Sequence, residues 1–188
     1  MIRKLLSLLC LVAVLAAAPV CSAQDETDAP EATEKVAKKK KKKPASPVVK
    51  AIKRTKKISG KLNDKADYYI LLYSASWCGP CCNEMPHVVK AHKEMAKDKR
   101  VEIVLMGCDH TPEGAKAFAK QFGMKFYVTL AADKNAAKVP GHIDPSGIPA
   151  CVVVDRYGRR VDGGSPHLIQ KWKELVETKG EPEPPTED

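Results

Sequence analysis

The densest chemistry in the chain lies in Ser76-Trp77-Cys78-Gly79-Pro80-Cys81-Cys82. Two cysteines separated by two residues can close a disulfide on themselves or trade one with a partner, provided one sulfur is held as a thiolate. The flanking sequence supplies a place for that. Tyr68 to Tyr73 is a run of β-formers that reads as a buried strand. Asn83 to Lys99 carries Met85, Val88, Val89, Ala91, Met95 and Ala96 near helical spacing. The pair therefore falls where a strand ends and a helix begins. The first turn of a helix has unpaired N–H groups and the positive end of the dipole. A thiolate at Cys78 gains there, which predicts a pKa below the free value of about 8.5. Cys78, at the junction, is the predicted nucleophile, and Cys81, one turn on, the resolving thiol. Gly79 is expected to permit the tight approach of the two. Pro80 suits a first turn, where its missing N–H costs little. The same spacing also admits an inert structural disulfide or half of a zinc site.

Trp77-Cys78-Gly79-Pro80-Cys81 after a hydrophobic strand resembles the thioredoxin superfamily. Extended through Glu84 and Pro86, it is similar to the W-C-x-x-C-x-x-E-x-P pattern of exported thioredoxin-like reductases of the type that serve cytochrome c maturation. Ser74-Ala75-Ser76-Trp77-Cys78 is also similar to tryparedoxin and nucleoredoxin. The resemblance covers roughly Asp67 to Thr178. It implies an α/β, thioredoxin-like fold with a central mixed β-sheet flanked by helices, and a redox disulfide between Cys78 and Cys81. It also implies support from Trp77 beside the pair and from Pro149, at the place of the family's cis-proline, whose loop offers backbone groups to an incoming peptide. The alternatives are a core tryptophan and an ordinary trans turn. Glu84 occupies the family's acidic position and could take a proton from Cys81 if partly buried; a surface glutamate favoured by the helix dipole is the competing reading. Cytosolic thioredoxins place a buried aspartate six residues ahead of the first cysteine; here that position is Leu72.

The elements that must position these groups follow from the rest of the chain. Val101 to Met106 is a second strand, and Thr111-Pro112-Glu113 caps a helix that stops at Gly123. Phe126 to Leu130 is a short extended segment. Cys151 to Asp155 and Arg160 to Asp162 form a hairpin, and Ser165 to Val176 is a closing helix. Pro86 is expected to kink the active-site helix. Val48 to Ile58 fits either a basic amphipathic helix or a first strand. Strands alternating with helices, then a hairpin, imply a layered sheet.

With 188 residues the chain has room for one domain and extensions, and its net charge is +9. The charge is uneven: 24–66 carries 14 Lys/Arg against 6 Asp/Glu, while 67–188 carries 16 against 17. Residues 1–23 have the layout of a secretory signal peptide: Arg3 and Lys4, an apolar run from Leu5 to Ala18, then Cys21-Ser22-Ala23. An uncleaved membrane anchor is the alternative. Residues 24–66 read as a disordered Lys-rich linker, 67–180 as the domain and 181–188 as a disordered acidic tail. The run Lys38 to Lys43 reads as a solvated tether, with weak contact to an anionic surface as the functional alternative and no specific nucleic acid expected. Processing would remove Cys10 and Cys21. Five cysteines would remain, an odd number that argues against a purely structural disulfide framework in a periplasmic or secreted protein. Of these, Cys82 reads as an exposed bystander, Cys151 as a core residue, and Cys108 with Asp109 and His110 as a candidate second feature. His87 and His92 are five apart, which does not stack metal ligands on one helical face, and neither metal nor cofactor is expected.

The leading expectation is an exported enzyme that reduces protein disulfides, recharged by a membrane-linked electron donor. A tethered, non-catalytic binding module and a tryparedoxin-like donor to a peroxidase are the alternatives.

Overall fold

The structure is a computed structural model and describes residues 45–186. The expected signal peptide and the Lys38–Lys43 run lie outside those residues. In chain order the elements are α1 (Pro47–Ile52), β1 (Tyr68–Ser74), α2 (Gly79–Asp98), β2 (Val101–Gly107), α3 (Pro112–Gln121), β3 (Tyr127–Leu130), a single 3-10 turn (Ala136–Lys138), β4 (Ala150–Asp155), β5 (Arg160–Gly164), α4 (His167–Gln170) and α5 (Trp172–Lys179). The strands form one sheet in the order β3-β2-β1-β4-β5. β1 pairs parallel with β2, and β2 with β3, whereas β4 runs antiparallel to both β1 and β5. This is the mixed α/β sheet expected.

β1 and β2 are buried along their whole length, so both faces of the sheet need a cover. Two successive parallel crossovers, β1-α2-β2 and β2-α3-β3, step in the same direction across the sheet, and both helices pack on one face. There Tyr68, Ile70 and Leu72 of β1 pack with Met85, Val88 and Met95 of α2 and Phe118 of α3; Ile169, Trp172 and Val176 close the same layer. Tyr69, Leu71 and Tyr73 point to the opposite face. That face is covered by α1, through Val48, Val49, Ala51 and Ile52, and by Ala136 and Val139 from the segment after β3.

The boundary expected at Ala66 is therefore corrected. Residues 45–66 belong to the domain. Val48 and Ile52 are almost wholly buried, each worth about 1.5–3 kcal/mol of apolar burial. Ser46 caps α1, accepting from the Val49 N–H, and donates its own hydroxyl to the Arg156 carbonyl at 2.6 Å. Ser59 and Lys61 bridge to Val128 and Phe126 beside β3. Of the two readings of Val48 to Ile58, the helix forms, but it ends at Ile52. The tail is held too at its start: Pro182 is buried and Arg159 donates to the Glu183 carbonyl at 2.8 Å.

Thr111 caps α3 as its sequence predicts, accepting from the Gly114 N–H with Pro112 at the first helical position. The closing helix is split into α4 and α5 at Lys171. α2 runs on through Pro86 to Lys99, whose left-handed conformation (φ 70°) ends it.

Candidate active site

β1 ends at Ser74 and α2 starts at Gly79, so residues 75–78 make the turn between them. Cys78 is the N-cap of α2. Its backbone is extended and its sulfur accepts from the Cys81 N–H at 3.2 Å. Cys78 and Cys81 are joined as a disulfide, with Cα atoms 5.1 Å apart. Cys78 keeps 6% of its surface open and Cys81 none, so an outside group can reach only the first sulfur. Pro80 stands in the first turn of α2, as expected. Gly79 needs correction. A Cβ there would meet nothing within 4 Å and its φ is not positive, so closure of the pair does not require glycine. The space that a Gly79 side chain would occupy is open.

Trp77 is not a core aromatic. It is 59% exposed and stacks on His110, ring centroids 6.1 Å apart. On the other side of the pair, the Ile148–Pro149 peptide is cis, and the Ile148 carbonyl oxygen lies 3.6 Å from the Cys78 sulfur. Ile148 packs against Ala75, Cys78 and Cys81. That loop is tied to β1: the Ile143 N–H donates to the Tyr73 hydroxyl at 2.9 Å, and the hydroxyl sits 3.1 Å from Nδ1 of His142. Burial pushes the Tyr73 phenol up to about 12, so it holds its proton through the physiological range.

Glu84 is half-buried and its carboxylate accepts from the Gln170 side chain of α4 at 2.8 Å. Leu72, at the place of the cytosolic thioredoxins' aspartate, sits in the apolar layer opposite Cys151. Cys82 is not a fully exposed bystander: it is half-buried and its thiol donates to the Ser76 carbonyl at 3.3 Å. Cys151 is buried, donates to the Ser165 carbonyl, and is pushed up to about 12 by burial, then by Asp162. Cys108 packs against the Cys78–Cys81 cluster, its thiol raised by burial and secondarily by Asp109. His92 is engaged by Glu102 at 3.1 Å. Among the described residues, no group of three or more His, Cys, Asp or Glu could hold a metal ion.

Asp109 and His110, marked in the sequence only beside Cys108, join the site through Ser76 and Trp77 of the motif. Asp109 accepts from both the N–H and the hydroxyl of Ser76, at 3.0 and 2.5 Å, while His110 backs Trp77. The signal was topological. β1 and β2 are parallel neighbours, so their exits, Ala75–Cys78 and Cys108–His110, meet at the same sheet edge.

The geometry has counterparts among known proteins. A family model described as thioredoxin-like matches residues 65–160. The chain is 34% identical over 92 residues to the thiol-disulfide oxidoreductase ResA of Bacillus anthracis, covering 49% of this chain and 51% of that one. It thus spans about half the length of the curated relatives it matches. It is 25% identical over 116 residues to a nucleoredoxin of Arabidopsis thaliana, covering 62% of this chain and 19% of the other. Tryparedoxin II from C. fasciculata shares the fold, with a TM-score of 0.55 at 22% identity over 69% of this chain and 94% of that one.

Proposed function

Because the chain belongs to the thioredoxin-like family, we propose that it is an exported thiol–disulfide oxidoreductase that reduces protein disulfides through Cys78 and Cys81. The observation that carries this reading is the disulfide at the mouth of α2, open only at Cys78 and flanked by the Ile148 carbonyl. In the reduced protein the Cys78 thiolate attacks one sulfur of a substrate disulfide. A Cys78–substrate disulfide forms and the other substrate sulfur leaves as a thiolate. The Cys81 thiolate then attacks the Cys78 sulfur, the mixed disulfide breaks, and the second substrate thiolate departs. Two electrons pass to the substrate and the pair is left oxidised. A dithiol donor must restore it; a membrane-linked one suits an exported protein. Gly79 leaves room for the incoming chain, and the Ile148 carbonyl offers it a backbone acceptor, in the manner of an added strand. Trp77 gives it an apolar rest.

Export is supported by the charge and hydropathy layout of residues 1–23 and by the odd cysteine count of the remainder. No helix among the described residues is long and apolar enough to cross a membrane. Lys38–Lys43 serves as a solvated tether, with weak contact to an anionic surface as its alternative role.

The test is reduction of insulin by dithiothreitol, followed by turbidity. The wild type accelerates it and C78S does not. A wild type that adds nothing to the dithiothreitol rate favours a tethered binding module instead.

A further inference from the structure

Asp109 is a carboxylate buried at the exit of β2, with 6% of its surface exposed. A buried charge of this kind is costly unless it is compensated. Its Oδ1 accepts twice from Ser76, by the backbone N–H and the hydroxyl. α3, ten residues long, begins beside it: a Cβ on Gly114 in its first turn would stand 3.5 Å from the same Oδ1. The first turn of that helix and the two Ser76 donors thus meet on one carboxylate oxygen. The second oxygen, Oδ2, is buried with no hydrogen-bond partner among the described residues. The neighbourhood is the redox pair. Ser76 lies two residues before Cys78, and Cys108, next to Asp109, packs on Cys78 and Cys81.

We propose that Asp109 is a positioning residue of the redox pair: it fixes the Ser76 turn and places a negative charge beside Cys78 and Cys81, which makes their thiols less acidic and the pair more reducing. This rests on the reading of Cys78–Cys81 as the redox centre. The sign follows from electrostatics. A nearby like charge disfavours a thiolate, so the reduced form loses stabilisation and gives up its electrons more readily. The charge opposes the pull of the α2 N-terminus on Cys78, so the acidity of that thiol is set by two fixed elements. Of the other titratable groups on the neighbouring elements, Cys108 and His110 flank Asp109 in its loop, Cys82 stands near the start of α2, Glu113 lies in the first turn of α3, and Glu84 is engaged by Gln170.

The experiment is iodoacetamide labelling of Cys78 in the reduced full chain as a function of pH, read by peptide mass spectrometry, with the potential of the pair measured against glutathione. D109N keeps an acceptor for Ser76 and removes the charge. Its labelling midpoint falls by about one pH unit and its pair becomes less reducing. S76A keeps the charge and removes one donor, so its midpoint rises. A D109N midpoint that coincides with wild type overturns the proposal. So does an S76A midpoint that falls with it, since that marks turn shape rather than charge as the cause. Should D109N not fold, the sign of the S76A shift decides. A wild type whose Cys78 shows no preferential labelling and no disulfide reduction sinks the reading of the redox centre itself. A reactive wild type with an unshifted D109N sinks only the role of Asp109.

Discussion

At the scale of single residues, the cysteines are sorted by what surrounds each sulfur. Cys78 alone combines a helix N-terminus with an open approach. Cys151 has an apolar layer around it and a thiol raised to about 12, which leaves a thiolate fraction on the order of one in 100,000 at pH 7. In the reduced native protein at pH 7, alkylation therefore labels Cys78 first and Cys151 last, with mass spectrometry of timed samples giving the order. Prior labelling of Cys82 or Cys108 would contradict it. Trp77 yields a different kind of expectation. Exposed and stacked on His110, it contributes little to the folded core. W77A should leave the melting temperature within a degree or two, given that surface substitutions move stability by about 0.5 kcal/mol or less. The same variant should slow insulin reduction severalfold. A large loss of stability with unchanged turnover would assign Trp77 to the core after all.

At the scale of elements, the site depends on how the two faces of the sheet are covered. The loop that brings Ile148 to Cys78 hangs from the Tyr73 hydroxyl, which is fixed on the face that α1 covers. Y73F removes the acceptor for the Ile143 N–H and should cost about 1–3 kcal/mol in urea unfolding, together with a drop in turnover. α1 makes a sharper case. I52A removes an almost wholly buried side chain and should cost about 2–5 kcal/mol, whereas K50A, on the exposed side of the same helix, should cost under about 0.5 kcal/mol. Equal and negligible effects would return residues 45–66 to the status of a linker. The sequence hides this element for a physical reason. α1 has six residues amid a strongly basic segment, and its helical pattern is too short to separate from a strand. The requirement for a second cover was nonetheless written into β1, an unbroken run from Tyr68 to Tyr73, and into β2, apolar but for Glu102, both of which need partners on both faces.

At the scale of the whole molecule, the strands, the α2 junction and the cysteine pair were legible because each rests on a local rule: period, cap and spacing. The tie of Asp109 and His110 to the cysteine pair, and the Tyr73 anchor, were not: the sequence marks the first two only as neighbours of Cys108, and these roles arise from the parallel pairing of β1 with β2 and from a loop some 70 residues distant. The same burial that built the sheet leaves one global signature. Tyr69 and Tyr73, on one face, and Cys151, on the other, are held neutral by desolvation, Tyr73 and Cys151 up to about 12. All three are acids whose folded pKa lies above the unfolded one. Between the two values the unfolded chain has released protons that the folded chain still holds, so stability is full below the unfolded pKa and falls as pH rises towards the folded one. The window opens near pH 8.5–9 for Cys151 and near pH 10 for the phenols. Urea midpoints should thus be flat from pH 7 to 8.5 and decline by pH 10.5, at a cost of roughly 2–3 kcal/mol. The early part belongs to Cys151 together with Cys108, whose thiol burial also raises: C151A should start lower and decline less steeply up to about pH 10. A wild-type midpoint that holds steady to pH 10.5, or a C151A variant that declines as steeply as wild type between pH 8.5 and 10, would show that these buried groups do not govern the alkaline limit.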